Sequence, residues 1–106
     1  MKVVFPFSGS SIGGSQLSCV TIYNFLTKKN IYFKFIIHKD GNFKNYLKKN
    51  MIKYENLQLK NLPGENPNII IIFFFIIKNF YKIFNYIKKN NIDIVHGNTL
   101  SINLAW

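Results

Sequence analysis

The strongest constraint on the fold is the opening of the chain. Five consecutive apolar residues, Val3-Val4-Phe5-Pro6-Phe7, lead into the small-residue run Ser8-Gly9-Ser10-Ser11-Ile12-Gly13-Gly14 and then a segment of helical periodicity. A continuous apolar run reads as a strand covered on both faces, as in parallel sheets, whereas a half-solvated strand alternates. Pro6 cannot donate to a ladder, which places it near the strand's end. Beyond the glycines, Ser15 is a suitable N-cap, and Cys19, Ile22, Tyr23 and Leu26 recur at i, i+3, i+4 and i+7. Lys28 and Lys29 fall in the predicted last turn, where cations complement the helix dipole, and Asn30 stops the helix.

The remainder repeats this alternation. A second strand is predicted over Ile31 to Ile37, followed by the turn-rich exit His38-Lys39-Asp40-Gly41-Asn42. Phe43, Tyr46 and Leu47 mark a short helix closing near Asn50, and a weaker strand lies between Lys53 and Leu59. Residues Asn61 to Asn68, with Pro63, Gly64 and Pro67, form the one long loop. The next segment is ambiguous, because Ile69 to Ile77 alone suits a buried strand. No turn signal separates it from the helical pattern that follows, so one helix is predicted from about Asn68 to Asn90. On that helix Ile77, Phe80, Tyr81 and Phe84 share a face expected to be buried at least in part against the sheet. Lys78, Lys82, Asn85 and Lys89 share the other. A strand over Ile92 to His96 and the start of a helix over Leu100 to Trp106 complete the reading.

Strictly alternating strands and helices predict an α/β fold: a Rossmann-like three-layer sandwich with a mostly parallel sheet, incomplete at the C-terminus. Such sheets bind ligands beyond the carboxyl ends of their strands. Two polar clusters are expected there, the loop Ser8–Gln16 and the segment His96-Gly97-Asn98-Thr99, and together they predict a crevice.

Composition narrows the chemistry. The chain has 106 residues, 48% of them hydrophobic, enough for one small core. Its net charge of +10 comes from 14 basic residues, all lysine, against 4 acidic ones. Abundant Asn, Ile, Lys, Phe and Tyr with no arginine is the signature of AT-rich codons, so part of this charge reflects the genome rather than a partner. A single cysteine, Cys19, excludes an internal disulfide and reads as a core filler. The acids Asp40, Glu55, Glu65 and Asp93 are far apart in sequence, and no spacing offers a metal site. Neither a metal nor a cofactor is expected. The N-terminus lacks the features of a secretory signal. The longest continuous apolar run, Ile69 to Ile77, has nine residues, below the roughly 18 needed to span a bilayer. A soluble domain on the cytoplasmic side, peripheral at most to the inner face of the membrane, is therefore expected.

Known phosphate loops fit the glycine segment poorly. A dinucleotide fingerprint needs Gly-x-Gly-x-x-Gly, and Ser10-Ser11 after Gly9 breaks that spacing. Gly9 and Gly14 have the separation of a P-loop, but Ser15 and Gln16 stand where Lys and Ser/Thr are required. What remains is a diglycine before a helix N-terminus, a place where unpaired N–H groups and the dipole favour anions. The competing reading is that the glycines only permit a tight turn.

The chain resembles the N-terminal domain of family 4 glycosyltransferases, retaining enzymes of the GT-B fold, along all 106 residues. The resemblance rests on Lys2-Val3-Val4-Phe5, the loop Ser11-Ile12-Gly13-Gly14-Ser15-Gln16, and the stretch Ile92-Asp93-Ile94-Val95-His96-Gly97-Asn98. These are similar to that family's Gly-Gly-small-Glu/Gln motif and its Asp-hydrophobic-Val-His-x-His/Asn motif. The resemblance implies a nucleotide-sugar donor and a glycan or lipid-linked acceptor, as in cell-envelope polysaccharide synthesis. It implies that Gly13 and Gly14 offer N–H groups to the donor phosphate, and that Ser15 and Gln16 cap the helix near the acceptor. His96 and Asn98 are the catalytic candidates, although a carboxamide at 98 cannot transfer a proton as the family's histidine does. Leu17 replaces a basic residue many members carry. The family's donor-binding C-terminal domain, with its pair of glutamates, has no counterpart here. Residues 1–106 are accordingly expected to be a partial acceptor-side domain, inactive alone.

Two other classes stay open, a non-catalytic Rossmann-like binding domain and a basic nucleic-acid-binding protein. The lysines are scattered in pairs (28–29, 48–49, 88–89), mostly near helix ends, and no recognition motif accompanies them, which disfavours nucleic acid. Residues 69–89, apolar and then amphipathic with lysines, instead suit an anionic membrane surface.

Overall fold

The computed structural model describes residues 1–59 and 68–97. Seven elements follow one another: β1 (Lys2–Phe7), α1 (Gly14–Thr27), β2 (Tyr32–Ile37), α2 (Asn42–Lys49), β3 (Tyr54–Asn56), α3 (Ile69–Asn90) and β4 (Ile94–Val95). The four strands form one all-parallel sheet of order β3-β2-β1-β4. The architecture is the expected Rossmann-like α/β fold. The helix predicted over Leu100 to Trp106 and most of the loop Asn61 to Asn68 lie outside the described residues.

Register assigns each strand residue to a layer. Val3, Phe5 and Phe7 pair with Phe33, Phe35 and Ile37, and with Cys19 and Val20 of α1 and Phe43 and Leu47 of α2 they build the main core. The aromatic rings carry its interior: Phe35 lies 5.7 Å from Phe43 edge-to-face and 5.8 Å from Phe5, arrangements that add to simple area burial. The alternate residues Val4 and Ile36 face the other way, against Tyr86 of α3. One face of the sheet therefore carries α1 and α2, the other α3. Burial on both sides explains why β1 reads as an unbroken apolar run, whereas in β2 Lys34 interrupts the run and pairs with Glu55.

Pro6 sits inside β1, a central strand, and the ladder shows why it is tolerated. Even-numbered residues of β1 bond toward β4: Asp93 donates its N–H to Lys2 O at 3.0 Å and His96 to Val4 O at 3.0 Å. By the level of Pro6 the two-residue β4 has ended, so the donor that proline lacks has no strand opposite it.

Helix α3 departs from expectation. It is capped by Asn68, whose side chain accepts the Ile70 N–H at 3.1 Å, and it ends at Asn91 in the left-handed region. Its buried residues, however, are Phe75, Asn79, Ile83 and Tyr86. The predicted core face of Ile77, Phe80, Tyr81 and Phe84 is exposed, and Ile70, Phe73 and Phe74 add to the exposed apolar surface. The helix is apolar on opposite sides, so periodicity alone selected the wrong one. The nine-residue limit on a spanning segment also needs correcting. α3 is nevertheless long and apolar enough to cross a membrane by length and composition, because Lys78 and Lys82 interrupt its most apolar 18-residue stretch without ending it. A core helix of a soluble protein can meet the same measure.

Candidate functional site at the carboxyl edge of the sheet

The sheet reverses direction of growth at β1. From β1 the chain steps through α1 to β2 and through α2 to β3 on one side, while α3 returns it to β4 on the other. The carboxyl ends of β1 and β4 thus flank a topological switch point, where open α/β sheets leave a crevice for ligands. Both loops singled out in the sequence emerge there: Ser8–Gly13 after β1, and His96-Gly97 after β4. The exposed His96 packs its ring against Phe5, centroids 4.8 Å apart, on the face that carries α1. Asn98, the other catalytic candidate, lies outside the described residues.

The N-terminus of α1 is built differently from expectation. Gly13, not Ser15, is the N-cap, and Leu17 N–H donates to Gly13 O at 3.2 Å in the first helical bond. The side chain of Gln16 folds back so that its Oε1 accepts the Gly13 N–H at 3.0 Å and the Ser15 hydroxyl at 2.9 Å. Gln16 is buried in this role, half of a capping box. Its capping function agrees with the sequence reading, and it occupies the Gly13 N–H that was a candidate phosphate donor. The first-turn N–H groups of Gly14 and Ser15 have no partner within the helix, and the positive end of its dipole lies with them.

The glycines divide into two kinds. Gly9 has φ +87°, and a Cβ there would stand 2.2 Å from the Lys39 carbonyl oxygen; one on Gly41 would stand 2.7 Å from the Gly9 oxygen. These two permit the loops after β1 and β2 to lie against each other, joined by Lys39 N–H to Ser8 O at 3.1 Å and Phe43 N–H to Gly9 O at 3.2 Å. Gly13 is extended, and a Cβ on it would meet only the Gln16 side chain, at 3.2 Å; one on Gly14 would meet nothing within 4 Å. The tight turn is therefore the work of Gly9 and Gly41, and the fold makes no steric demand for glycine at position 14.

Sequence reasoning missed the edge beside this site. His38 is buried at the end of β2, and with Lys39, Asp40, Asn56, Gln58 and Leu59 it lines a shallow cleft of about 340 Å³. Its only sequence signal was a histidine ending an apolar run. Asp40 accepts from Lys44 Nζ at 2.8 Å and from Asn56 Nδ2 at 2.5 Å. The Lys44 hydrogen bond lowers the Asp40 pKa below its ordinary value, and Asn56 acts in the same direction. Across the sheet, under α3, Glu55 Oε2 accepts from Lys34 at 3.0 Å and from the Tyr86 hydroxyl at 3.2 Å. Among the described residues no three His, Cys, Asp or Glu side chains converge as metal ligands.

No family model and no curated protein sequence matches the chain. Its fold is similar to parts of two solved structures. One is MurG of Acinetobacter baumannii, with a TM-score of 0.69 and 17% identity over 99% of this chain. The other is a glycosyltransferase of Rickettsia africae, with a TM-score of 0.67 and 19% identity over 98% of this chain. The 106 residues span 30% and 25% of the length of those two proteins. At this identity the likeness establishes a fold shared with glycosyltransferase structures.

Proposed function

We propose that the chain is the acceptor-side Rossmann-like part of a GT-B glycosyltransferase of the retaining family 4 type. It transfers a sugar from a nucleotide-sugar donor to a glycan or lipid-linked acceptor. The observation that carries this reading is Gly14: a glycine with open space over its α-carbon, at a helix N-terminus, beside the switch point that also receives the His96 loop. A residue with no structural need to be glycine, at a helix N-terminus beside the switch point, suits close approach of an oxyanion to the helix's first-turn N–H groups. The donor's leaving diphosphate is that oxyanion. Gly14 and Ser15 stabilise it through their backbone N–H groups, while Gly13 and Gln16 hold the helix end in place. His96, exposed and braced against Phe5, contacts the sugar or acceptor, with Asn98 as its neighbour in the same segment. In an enzyme of this type the nucleotide is gripped by the second domain, across the crevice from these residues.

The test is a titration of the ¹⁵N-labelled chain with a nucleoside diphosphate and with pyrophosphate. The Gly14, Ser15 and His96 amides should shift together. Shifts absent from all three, with the protein folded, would overturn the assignment.

A second reading concerns place rather than chemistry, and the exposed face of α3 favours it. Ile70, Phe73, Ile77, Phe80 and Phe84 form an apolar stripe open to solvent, and Lys78, Lys82, Lys88 and Lys89 lie on the same helix with no acidic residue. This pairing fits peripheral docking on an anionic cytoplasmic leaflet, with aromatic and aliphatic groups in the interface and ammonium groups at the phosphates. Binding to anionic vesicles should fall steeply between low and high salt. Equal binding to neutral vesicles would count against it.

A further inference from the structure

We infer that the cleft beyond β2 and β3 is a binding subsite for a neutral, hydroxyl-rich sugar ring. It would extend the proposed acceptor site away from the switch point, and the inference rests on the glycosyltransferase reading for the identity of its ligand. The cleft opens at the carboxyl edge of the sheet, as the first site does, but over the ends of different strands. Its volume of about 340 Å³ is at the lower end of the range for small-molecule sites. The chemistry of its walls selects among small molecules. A carboxylate and two primary carboxamides, from Asp40, Asn56 and Gln58, line it with Lys39, while buried His38 and Leu59 form the base. Carboxylates accept from sugar hydroxyls, and amides both donate and accept, so the set complements adjacent hydroxyl groups that do the same.

These walls are also held in position before any ligand arrives. Asn56 donates to Asp40, and its own Oδ1 accepts the Gln58 N–H at 2.8 Å, while Lys44 fixes the second Asp40 oxygen. Gln58 has φ +49°, a left-handed conformation that non-glycine residues adopt rarely and at some energetic cost. That backbone turn sets the Gln58 side chain at the rim. Preorganised polar groups lose little freedom on binding, which is how shallow sugar sites achieve useful affinity.

The experiment extends the ¹⁵N titration to simple pyranoses and disaccharides, using the intact 106-residue chain. Sugars should shift the Asp40, Asn56 and Gln58 amides in a saturable, millimolar-range manner. Gln58→Ala, at an exposed position, should keep the fold and weaken that response about three- to tenfold, the loss of one or two hydrogen bonds. Asn56→Ala should weaken it further. If sugars leave these three amides unmoved while pyrophosphate still shifts Gly14 and Ser15, the subsite is wrong and the parent reading stands. If sugars shift them and pyrophosphate moves nothing at Gly14, the cleft survives and the phosphate assignment falls. Unchanged affinity in Gln58→Ala would also overturn the subsite.

Discussion

The side-chain oxygen of Gln16 accepts the backbone N–H of Gly13 at 3.0 Å, closing the end of α1 on itself. This bond decides which amides at the helix N-terminus remain open to a ligand. It takes Gly13 out of that set and leaves Gly14 and Ser15. Gln16→Ala should cost about 1 kcal/mol of folding stability, as for other lost caps. Urea denaturation at neutral pH measures it, and an unchanged midpoint would mean the cap contributes nothing.

Glycine substitutions should separate structural from functional positions. Gly14→Ala should leave stability unchanged or raise it by up to about 1 kcal/mol, since alanine is the better helix former and its methyl group meets empty space. Gly9→Ala should cost about 2 kcal/mol or more, through both its positive φ and the Lys39 oxygen in the way. The pair can be compared by thermal melts. Equal effects would contradict the division.

The two apolar faces of α3 should respond oppositely. Ile83→Ala removes a buried side chain and should cost about 2–4 kcal/mol. Phe80→Ser on the exposed face should change stability by no more than about 0.5 kcal/mol and should reduce self-association and vesicle binding. A large loss of stability in Phe80→Ser would show that this face is covered.

Alkaline pH should destabilise the fold through the cluster under α3. Burial pushes the Tyr86 phenol up to about 12, with the Glu55 charge adding to it. Burial alone would lower the Lys34 pKa, but the Glu55 hydrogen bond and further partners outweigh it and raise the net value. Both groups hold their protons more tightly folded than unfolded. Their contribution is whole below their ordinary values near 10 to 10.5 and is lost as pH climbs through the folded ones. The melting temperature should therefore fall from about pH 10 upward, and Tyr86→Phe should flatten part of the decline.

Much of this fold was legible in the sequence. The unbroken apolar run of β1 announced a strand covered on both sides, and the alternation of elements fixed a parallel sheet with both marked loops at one edge. Asn30 and Asn91, left-handed after their helices, show how a single residue type punctuates the chain. Helix α3 was legible in length but not in orientation. Its buried stripe includes the polar Asn79, whereas its exposed face is as apolar as any core. Local periodicity cannot rank two hydrophobic faces; the sheet beneath does. Which glycines the turn requires was hidden for a related reason. Whether a glycine is required depends on what approaches it, and Gly9 is crowded by Gly41's loop, more than thirty positions along the chain. The His38 cleft was invisible because its walls come from two strands that meet only in the folded state.

The contact between Gly9 and Gly41 also limits how this protein can change. Surface loops ordinarily absorb inserted or deleted residues with little penalty. Here the segments after β1 and β2 share hydrogen bonds residue by residue, from His38 on Phe7 to Phe43 on Gly9. Lengthening either one alone would shift those donors out of step with their acceptors. Within these bonded stretches, the two connections can vary in length only together.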